Sequence, residues 1–591
     1  RQRRAAPEPV TYLICLHERA ALAEAEQLGD LAARRGAVVS SLQETAARSQ
    51  AGVTAFLDAQ RAQGKVADYR SYWVFNGLAV DGDLDTALAL AQRPEVAALR
   101  PNRRHTLPAP QPGASDAASG SQVAWNISRI GADRVWSALG VTGKGIVVAN
   151  MDSGVDWTHP ALQRKYRGYN PSDPSASTHD YNWFDATGTY PSAPGPNRPR
   201  ISAQSDHGTH TMGTIVGSEA DGSNAIGVAP GAQWIAAKVF DDQGQSTDEW
   251  LHAGFQWGLA PTDLNGQNPD PSRAPDVVNN SWGDDDGTLD TFVQDVAAWR
   301  AGGIFSTWAA GNHGPDPGTV GAPASYPIAF AVGSVDDEDA ISSFSSRGPS
   351  PWGVLKPDVV APGEGIRSSM AGGTYEGGWR GTSMATPHVT GLVALLWEAA
   401  DHALTVTETE RMITIPAVDL GAVGADNIYG YGRIDAFETV ASVRGGVFAG
   451  RVTDAASDLP VEGASILMRN LDTSASMRTE SESDGSYSFR VASGLYDVSA
   501  TKFGYEDALV RQIEIRAKTT TQLDFGLVAR PSGTIEGYVR SVSDAQPVSS
   551  MVYLLGTTGK ISVDASGHYR LVAPAGTYTV QVRPEVPGYR G

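Results

Sequence analysis

The chain has 591 residues, a formal charge of −20 and a pI near 5.0, a balance that repels phosphate backbones and excludes nucleic acid as an expected partner. Hydrophobic residues make up 41% and charged residues 19%; that composition supports sizeable cores and, at ~150 residues per domain, about four folded units. The single cysteine, Cys15, excludes an internal disulfide and a multi-cysteine metal site, and no run approaches the ~18 apolar residues of a membrane span.

Residues 9–107 read as a small α+β unit. Val10–Ile14 is a strand, followed by Cys15 as a buried strand residue. Leu22, Leu28 and Leu31, then Leu42, Val53, Phe56 and Leu57, recur at helical spacing. Tyr72–Phe75 reads as a second strand before an Asn76-Gly77 turn, and a helical pattern covers Leu84 to Ala98. The unit ends on an apparent strand, Val96–Arg100, and an extended stretch, Asn102–Leu107. Residues 108–120, PAPQPGASDAASG, bury nothing and read as an exposed linker.

Residues 121–443 carry short apolar strands, Gly145–Ala149, Trp234–Val239 and Phe330–Gly333, separated by helical stretches. Strands without polar alternation between helices imply a parallel sheet covered on both faces, an α/β fold. Residues 445–591 change to short alternating strands with Gly turns. One pattern occurs twice: Asp484-Gly485-Ser486-Tyr487 and Gly494-Leu495-Tyr496 are echoed by Ser566-Gly567-His568-Tyr569 and Gly576-Thr577-Tyr578. Tandem β-sandwiches are expected at 445–530 and 533–591, the second incomplete at Gly591.

Three polar positions stand out in the middle unit. Ser383 lies in Gly381-Thr382-Ser383-Met384-Ala385-Thr386-Pro387-His388, at the start of a helical run, where outward backbone N–H groups favour an oxyanion. A serine needs a base, and Asp206-His207-Gly208-Thr209-His210 supplies one. The base needs an orienting carboxylate, and Asp152 stands at the end of an apolar strand in Met151-Asp152-Ser153-Gly154-Val155-Asp156. In Ala310-Gly311-Asn312-His313-Gly314, the Asn312 amide is placed to donate to a developing oxyanion. Pro387 is expected in the first helical turn, where its missing donor costs little.

The segments MDSGVDWTHP, SDHGTHTMGTIVG, NNSWG, AAGNHG and GTSMATPHVTG resemble, in order, the signature blocks of the subtilisin-like serine peptidases. The resemblance implies peptide-bond hydrolysis with Ser383 as nucleophile, His207 as base, Asp152 as its orienter, and Asn312 with the Ser383 N–H as oxyanion hole. It also implies that Ser281, Trp282 and Gly283, with Gly244, Gln245 and Ser246, sandwich an extended substrate. Residues 9–107, through NGLAV and RPEVAALRPNRRHTL, resemble the family's inhibitory propeptide. Residues 445–591, through DGSYSF and GLYDVSA, resemble carboxypeptidase regulatory-like domains. The expected partners are polypeptide substrates and the chain's own propeptide, whose tail pairs with Ser281–Gly283 and is cut between about residues 105 and 120, in an exposed stretch. The protein is expected to be secreted, with its signal peptide absent from this chain, and monomeric.

Other groups have blander readings. Asp156 reads as a cap, His388 as structural, and His207 with His210 as a metal pair lacking the Glu of H-E-x-x-H. Asp284-Asp285-Asp286 reads as a solvated loop, with structural calcium as the alternative; no cofactor is required for the chemistry. Ala309, Ala310, Gly311 and Gly321–Ser325 predict a roomy, uncharged pocket for a large apolar side chain. The rival functions are an inactive adhesion or scaffold protein and an esterase or ligase.

Overall fold

Residues 10–107, 111–112, 123–192, 206–555, 557 and 559–584 are described in a computed structural model. The chain divides into two compact units, residues 1–440 and 441–591.

The first unit opens with an antiparallel sheet of β1 (Val10–Leu16), β2 (Val66–Tyr72), β3 (Gly77–Gly82) and β4 (Val96–Pro101), in the order β2-β3-β1-β4. Its helices are α1 (Leu31–Ala62), whose first turn is capped by Asp30 accepting from Ala33 N at 2.7 Å, and α2 (Leu84–Leu90), capped by Asp83 on Thr86 N. The helical pattern expected as far as Ala98 stops at Leu90, because Pro94 disfavours helical backbone at Arg93 and the chain turns into β4. Of the strand expected at Tyr72–Phe75, Tyr72 ends β2 and Trp73–Phe75 are not strand. Trp73–Asn76 form the turn between β2 and β3. Its residues are apolar because Val74 and Phe75 are buried against the next layer, with Phe75 stacked 3.8 Å from the His252 ring. Cys15 lies on β1 half-buried rather than buried, and burial raises its thiol pKa. Past β4 comes a three-residue strand, β5 (Arg104–Thr106).

The centre of the unit is, among the described residues, a seven-stranded sheet with every neighbouring pair parallel. Its strands are β6 (Val147–Asp152), β7 (Trp183–Asp185), β8 (Gln233–Lys238), β10 (Val277–Asn280), β11 (Phe305–Ala309), β12 (Phe330–Val335) and β13 (Val359–Pro362), in the order β13-β12-β11-β10-β6-β8-β7. A short β9 (Gln245–Thr247) lies outside it and pairs with β5. Strands β10, β12 and β13 are buried at every position, which is what helices on both faces require. Helices packed on the sheet include α3 (His207–Val216), α4 (Asp248–Leu259), α5 (Val293–Ala301) and α6 (Thr382–Ala399).

The N-terminal sheet and the central layers share one apolar cluster, from Leu13, Val38 and Phe75 to Phe255, Trp299 and Trp308. Polar groups fix the join. Gln256 Oε1 accepts from Trp73 N at 2.8 Å, and Arg70 pairs with Glu249. Arg35 is buried, donating to the carbonyls of Ala274 and Pro275 at 3.2 and 2.8 Å and to Asp276 at 3.1 Å.

In the second unit, Gly446–Asp454 pairs with Ser486–Val491 and Thr520–Gln522 in one sheet, while Ser476–Glu480, Ser465–Asn470, Gly494–Thr501 and Ala508–Ile515 follow in order in another. A similar pair of smaller sheets occupies residues 532–584. These are the expected β-sandwich layers.

Arg35→Ala leaves the buried Asp276 carboxylate with the Val147 N–H as its remaining partner. It is expected to destabilise the first unit by about 3–5 kcal/mol. Urea unfolding of the variant, in a Ser383→Ala background to prevent self-digestion, checks this; an unchanged midpoint would contradict it.

Candidate active site

The expected groups lie where parallel strands end. Asp152 is the last residue of β6, His207 the first of α3, Ser281 follows β10, Asn312 follows β11, and Ser383 is the second residue of α6. His207 Nδ1 is 2.9 Å from both oxygens of Asp152, and both side chains are buried. The Ser153 N–H donates to Asp152 Oδ1 at 2.6 Å. An ionised carboxylate only accepts, so Nδ1 carries the ring proton and Nε2 presents its lone pair. That Nε2 is buried and has no hydrogen-bond partner. Helix α3 comes this close to β6 because residue 208 is glycine: a Cβ there would lie 2.2 Å from the Gly154 carbonyl oxygen.

Ser383 Oγ donates to the Ser281 carbonyl at 2.9 Å and does not engage His207. Its N–H belongs to the first turn of α6, where amides have no intrahelical acceptor. Asn312 Oδ1 accepts from Thr382 N and Thr382 Oγ1, each at 2.9 Å. Because an amide N–H can only donate, this fixes Oδ1 toward the helix and leaves Nδ2 as the free donor.

Pro387 falls beyond the first turn expected for it. The N–H it lacks would have bonded the Ser383 carbonyl, four residues back. The Ser281 hydroxyl takes that place, donating to Ser383 O at 2.8 Å. Ser281 Oγ is in turn held by Asn279 Nδ2 at 2.9 Å, which also donates to Asn150 Oδ1 at 3.0 Å. Asn150 Nδ2 reaches Gly208 O at 2.9 Å and Thr211 Oγ1 at 2.8 Å. A buried polar chain therefore ties α3 to α6 through the centre of the sheet. Asn150 and Asn279 are site residues that sequence reasoning missed. Asn150 was signalled by an amide among apolar residues, and Asn279 by the amide pair that opens the NNSWG block.

Of the expected substrate-binding residues, Gly244, Gln245 and Ser246 are already paired. Gln245 faces Thr106, Ser246 faces His105, and Leu107 N donates to Gly244 O at 2.8 Å. The described part of the tail thus lies on this edge and not, as expected, on Ser281–Gly283. The residue types explain it, since the tail buries His105 on β5 and Leu107 just past it, at alternate positions. Residues 108–110 lie outside the described residues, as do 113–120 of the expected linker, while Gln111–Pro112 pair with Trp379–Arg380, beside Gly381. The Trp282 ring is buried in the core cluster. Ala309, Ala310, Gly311 and Gly321 line a pocket next to Ser383, as expected, but Asp284 and Asp285 line it too, so it is not uncharged.

The remaining groups are committed elsewhere. Asp156 accepts from Thr158 N, Thr158 Oγ1 and Gly372 N, so it does not compete for His207. His388 bridges Asn126 Nδ2 and the Met384 carbonyl. His210 stacks flat on Trp379 at 4.2 Å. Asp284 and Asp286 accept backbone N–H groups within their own loop, and among the described residues no three His, Cys, Asp or Glu side chains are grouped to hold a metal ion. Among the described residues, no helix is long and apolar enough to cross a membrane.

The subtilase family matches residues 143–432, and a carboxypeptidase regulatory-like domain matches 447–528. The chain is 44% identical to bacillopeptidase F of Bacillus subtilis over 431 residues, which is 70% of this chain and 29% of that protein. It is 37% identical to subtilisin E of Bacillus subtilis, over 46% of this chain and 61% of that one. It is 31% identical to subtilisin Savinase of Lederbergia lenta, over 53% of this chain and 97% of that one. The chain therefore spans less than two thirds of the first two relatives. Among solved structures, fervidolysin from Fervidobacterium pennivorans, a keratinolytic enzyme related to subtilisin, aligns over 99% of this chain and 88% of its own, with a TM-score of 0.51 and 20% identity.

Burial pushes His210 down to about 3 and His388 down to about 4, from an ordinary 6.5. Both stay neutral when folded and take up protons on unfolding, so the stability they confer is complete above pH 6.5 and is lost as pH falls toward 4. Each contributes a slope of about 1.4 kcal/mol per pH unit in that window. Urea unfolding of the Ser383→Ala protein between pH 7 and 4.5 should show the midpoint falling with acidification; a flat profile would contradict it.

Proposed function

The chain belongs to the subtilase family, and from that premise we propose that it is a secreted serine endopeptidase, made as a precursor that processes itself. The observation that carries this reading is the buried Asp152–His207 pair, whose Nε2 has no partner, together with an Asn312 amide that is turned to donate and lines one pocket with Ser383. In the reaction, the Ser383 hydroxyl leaves the Ser281 carbonyl and turns to His207 Nε2. Oγ bonds to the substrate carbonyl carbon as its proton passes to Nε2, and the oxyanion is held by Asn312 Nδ2 and the Ser383 N–H. The imidazolium, stabilised by Asp152, returns the proton to the leaving amine as the C–N bond breaks. Water then releases the acyl group by the reverse steps. Retention of all four groups gives the inactive-scaffold reading no support.

Residues 121–443 would carry this activity, residues 9–107 would be the inhibitory propeptide, and 445–530 and 533–591 two β-sandwich modules. The propeptide reading is supported by the paired edge at Gly244–Thr247 and by Gln111–Pro112 beside Trp379–Arg380. Leu107 is bonded to Gly244, and Gln111–Pro112 pair with Trp379–Arg380, close in sequence to Ser383, which supports a cut in the stretch joining Leu107 to Gln111, inside the wider window expected from sequence.

Ser383→Ala is expected to abolish casein hydrolysis and labelling by a fluorophosphonate, with the fold intact. Asn312→Ala should lower kcat by about 10²–10³ with KM little changed, the size of the loss known for the corresponding amide in subtilisin, a relative. Full activity in either variant would overturn the assignment. N-terminal sequencing should place the new terminus between residues 108 and 111 in the active protein and find the Ser383→Ala chain uncut. Cleavage of purified Ser383→Ala protein at that bond would defeat self-processing.

A further inference from the structure

The inner side of β5 shows what side chains the cleft accepts. His105 is 7% exposed, and each of its ring nitrogens faces a carboxylate: Nε2 is 2.7 Å from Asp248 Oδ1, and Nδ1 is 3.6 Å from Asp284 Oδ2. Phe292 closes the pocket, its ring centroid 6.1 Å from that of His105. Asp248, whose side chain is 2% exposed, also accepts the Arg103 N–H at 3.1 Å, while its own N–H donates to Arg103 O at 3.0 Å. The same carboxylate thus grips both the backbone of the inserted strand and one of its side chains. Asp248 opens α4, where first-turn N–H groups stabilise its charge. The charge pattern extends along the tail, with Arg100 forming a two-point pair with Asp290 at 2.6 and 3.0 Å.

We propose that Asp248 and Asp284 make this pocket a selector for a cationic side chain, so that the enzyme prefers polypeptides with His, Arg or Lys at the strand position that aligns with Ser246. The proposal rests on the endopeptidase reading above and names the substrate class for that site. An extended substrate taking over the edge Gln245–Thr247 when β5 leaves inherits the register of β5, and with it the pocket holding His105. A neutral apolar side chain there leaves a buried carboxylate without its partner, and an acidic one sets like charges together; both penalties act in a closed pocket and are larger than on an open surface. The pocket beside Ser383 is lined by Asp284 and Asp285 as well, so the two pockets share Asp284, and the test therefore varies position 105 alone.

The test uses the processed full chain, with active enzyme counted by fluorophosphonate labelling of Ser383. Synthetic peptides spanning residues 101–113 carry His, Arg, Lys, Ala, Leu or Glu at position 105. Peptides with His, Arg or Lys are expected to be cut with kcat/KM about tenfold above Ala or Leu, and Glu to be poorest. In a chain carrying Asp248→Asn and Asp284→Asn, which keep the pocket's shape, the ratio of Arg to Leu should fall to near one. Equal kcat/KM for Arg and Leu in the unmodified enzyme, or an undiminished ratio in the double variant, overturns the selector while leaving the peptidase reading in place. Absence of both labelling and cleavage overturns the peptidase reading, and the selector with it. A second measurement needs no change in the catalytic unit: precursor with His105→Ala should lose its inhibition about tenfold more readily than precursor with His105→Arg, and equal behaviour counts against the proposal.

Discussion

The site depends on a buried row of amides and hydroxyls running across the middle of the parallel sheet. Asn150 and Asn279 sit on adjacent strands, β6 and β10, and are hydrogen-bonded to each other. From Asn150 the chain reaches the Gly208 carbonyl next to His207; from Asn279 it reaches Ser281 and then the Ser383 carbonyl. A polar group in such a core is costly unless every bond is made. These groups are matched in series, so the row tolerates little displacement. Helices α3 and α6 are therefore not free to slide independently, and the imidazole and the serine are held by the same framework.

Pro387 shows why that framework needs a specific defect in α6. A complete helix would satisfy the Ser383 carbonyl from within, and the Ser281 hydroxyl would have only that carbonyl's second lone pair to donate to. Removing one N–H turns that carbonyl into an acceptor for another element. The loss within the helix is offset by a bond that locks the serine to β10. Asn312 is fixed in a similar way, by Thr382 at the mouth of the same helix, so Ser383 and the Asn312 amide share one anchor.

The large features of the fold were legible in the sequence because they follow from patterns with one physical meaning. Unalternating strands between helices can only be a sheet covered on both faces, and the chemistry-bearing residues sit in Gly-rich segments at strand ends. What was not legible depended on partners distant in the chain. Trp73–Phe75 has the composition of a strand, yet its apolarity answers to His252 and the central layer. Asn150 and Asn279 are 129 residues apart, and neither reveals its partner by spacing. The tail was expected on Ser281–Gly283; its described part lies on Gln245–Thr247, with His105 against Asp248 and Asp284, which in the sequence belong to a helix start and to an acidic run with no sign of a common pocket.

The acidic run also gives the net charge a local meaning. A charge of −20 spread evenly would say only that the protein resists association. Here Asp248, Asp284 and Asp290 stand along one edge of the cleft, and the segment lying on that edge carries Arg100, Arg103, Arg104 and His105. The N-terminal unit is held at two separate places, by its sheet on α4 and α5 and by this basic tail. Two linked contacts hold more firmly than either alone, because release of one leaves the other to bring it back. Under the proposed function, the same edge would later accept substrates that lack the sheet contact. On the proposed reading, such a substrate has only the strand and its side chains with which to replace the tail, so the complementarity at Asp248 and Asp284 weighs more heavily for it than for the N-terminal unit.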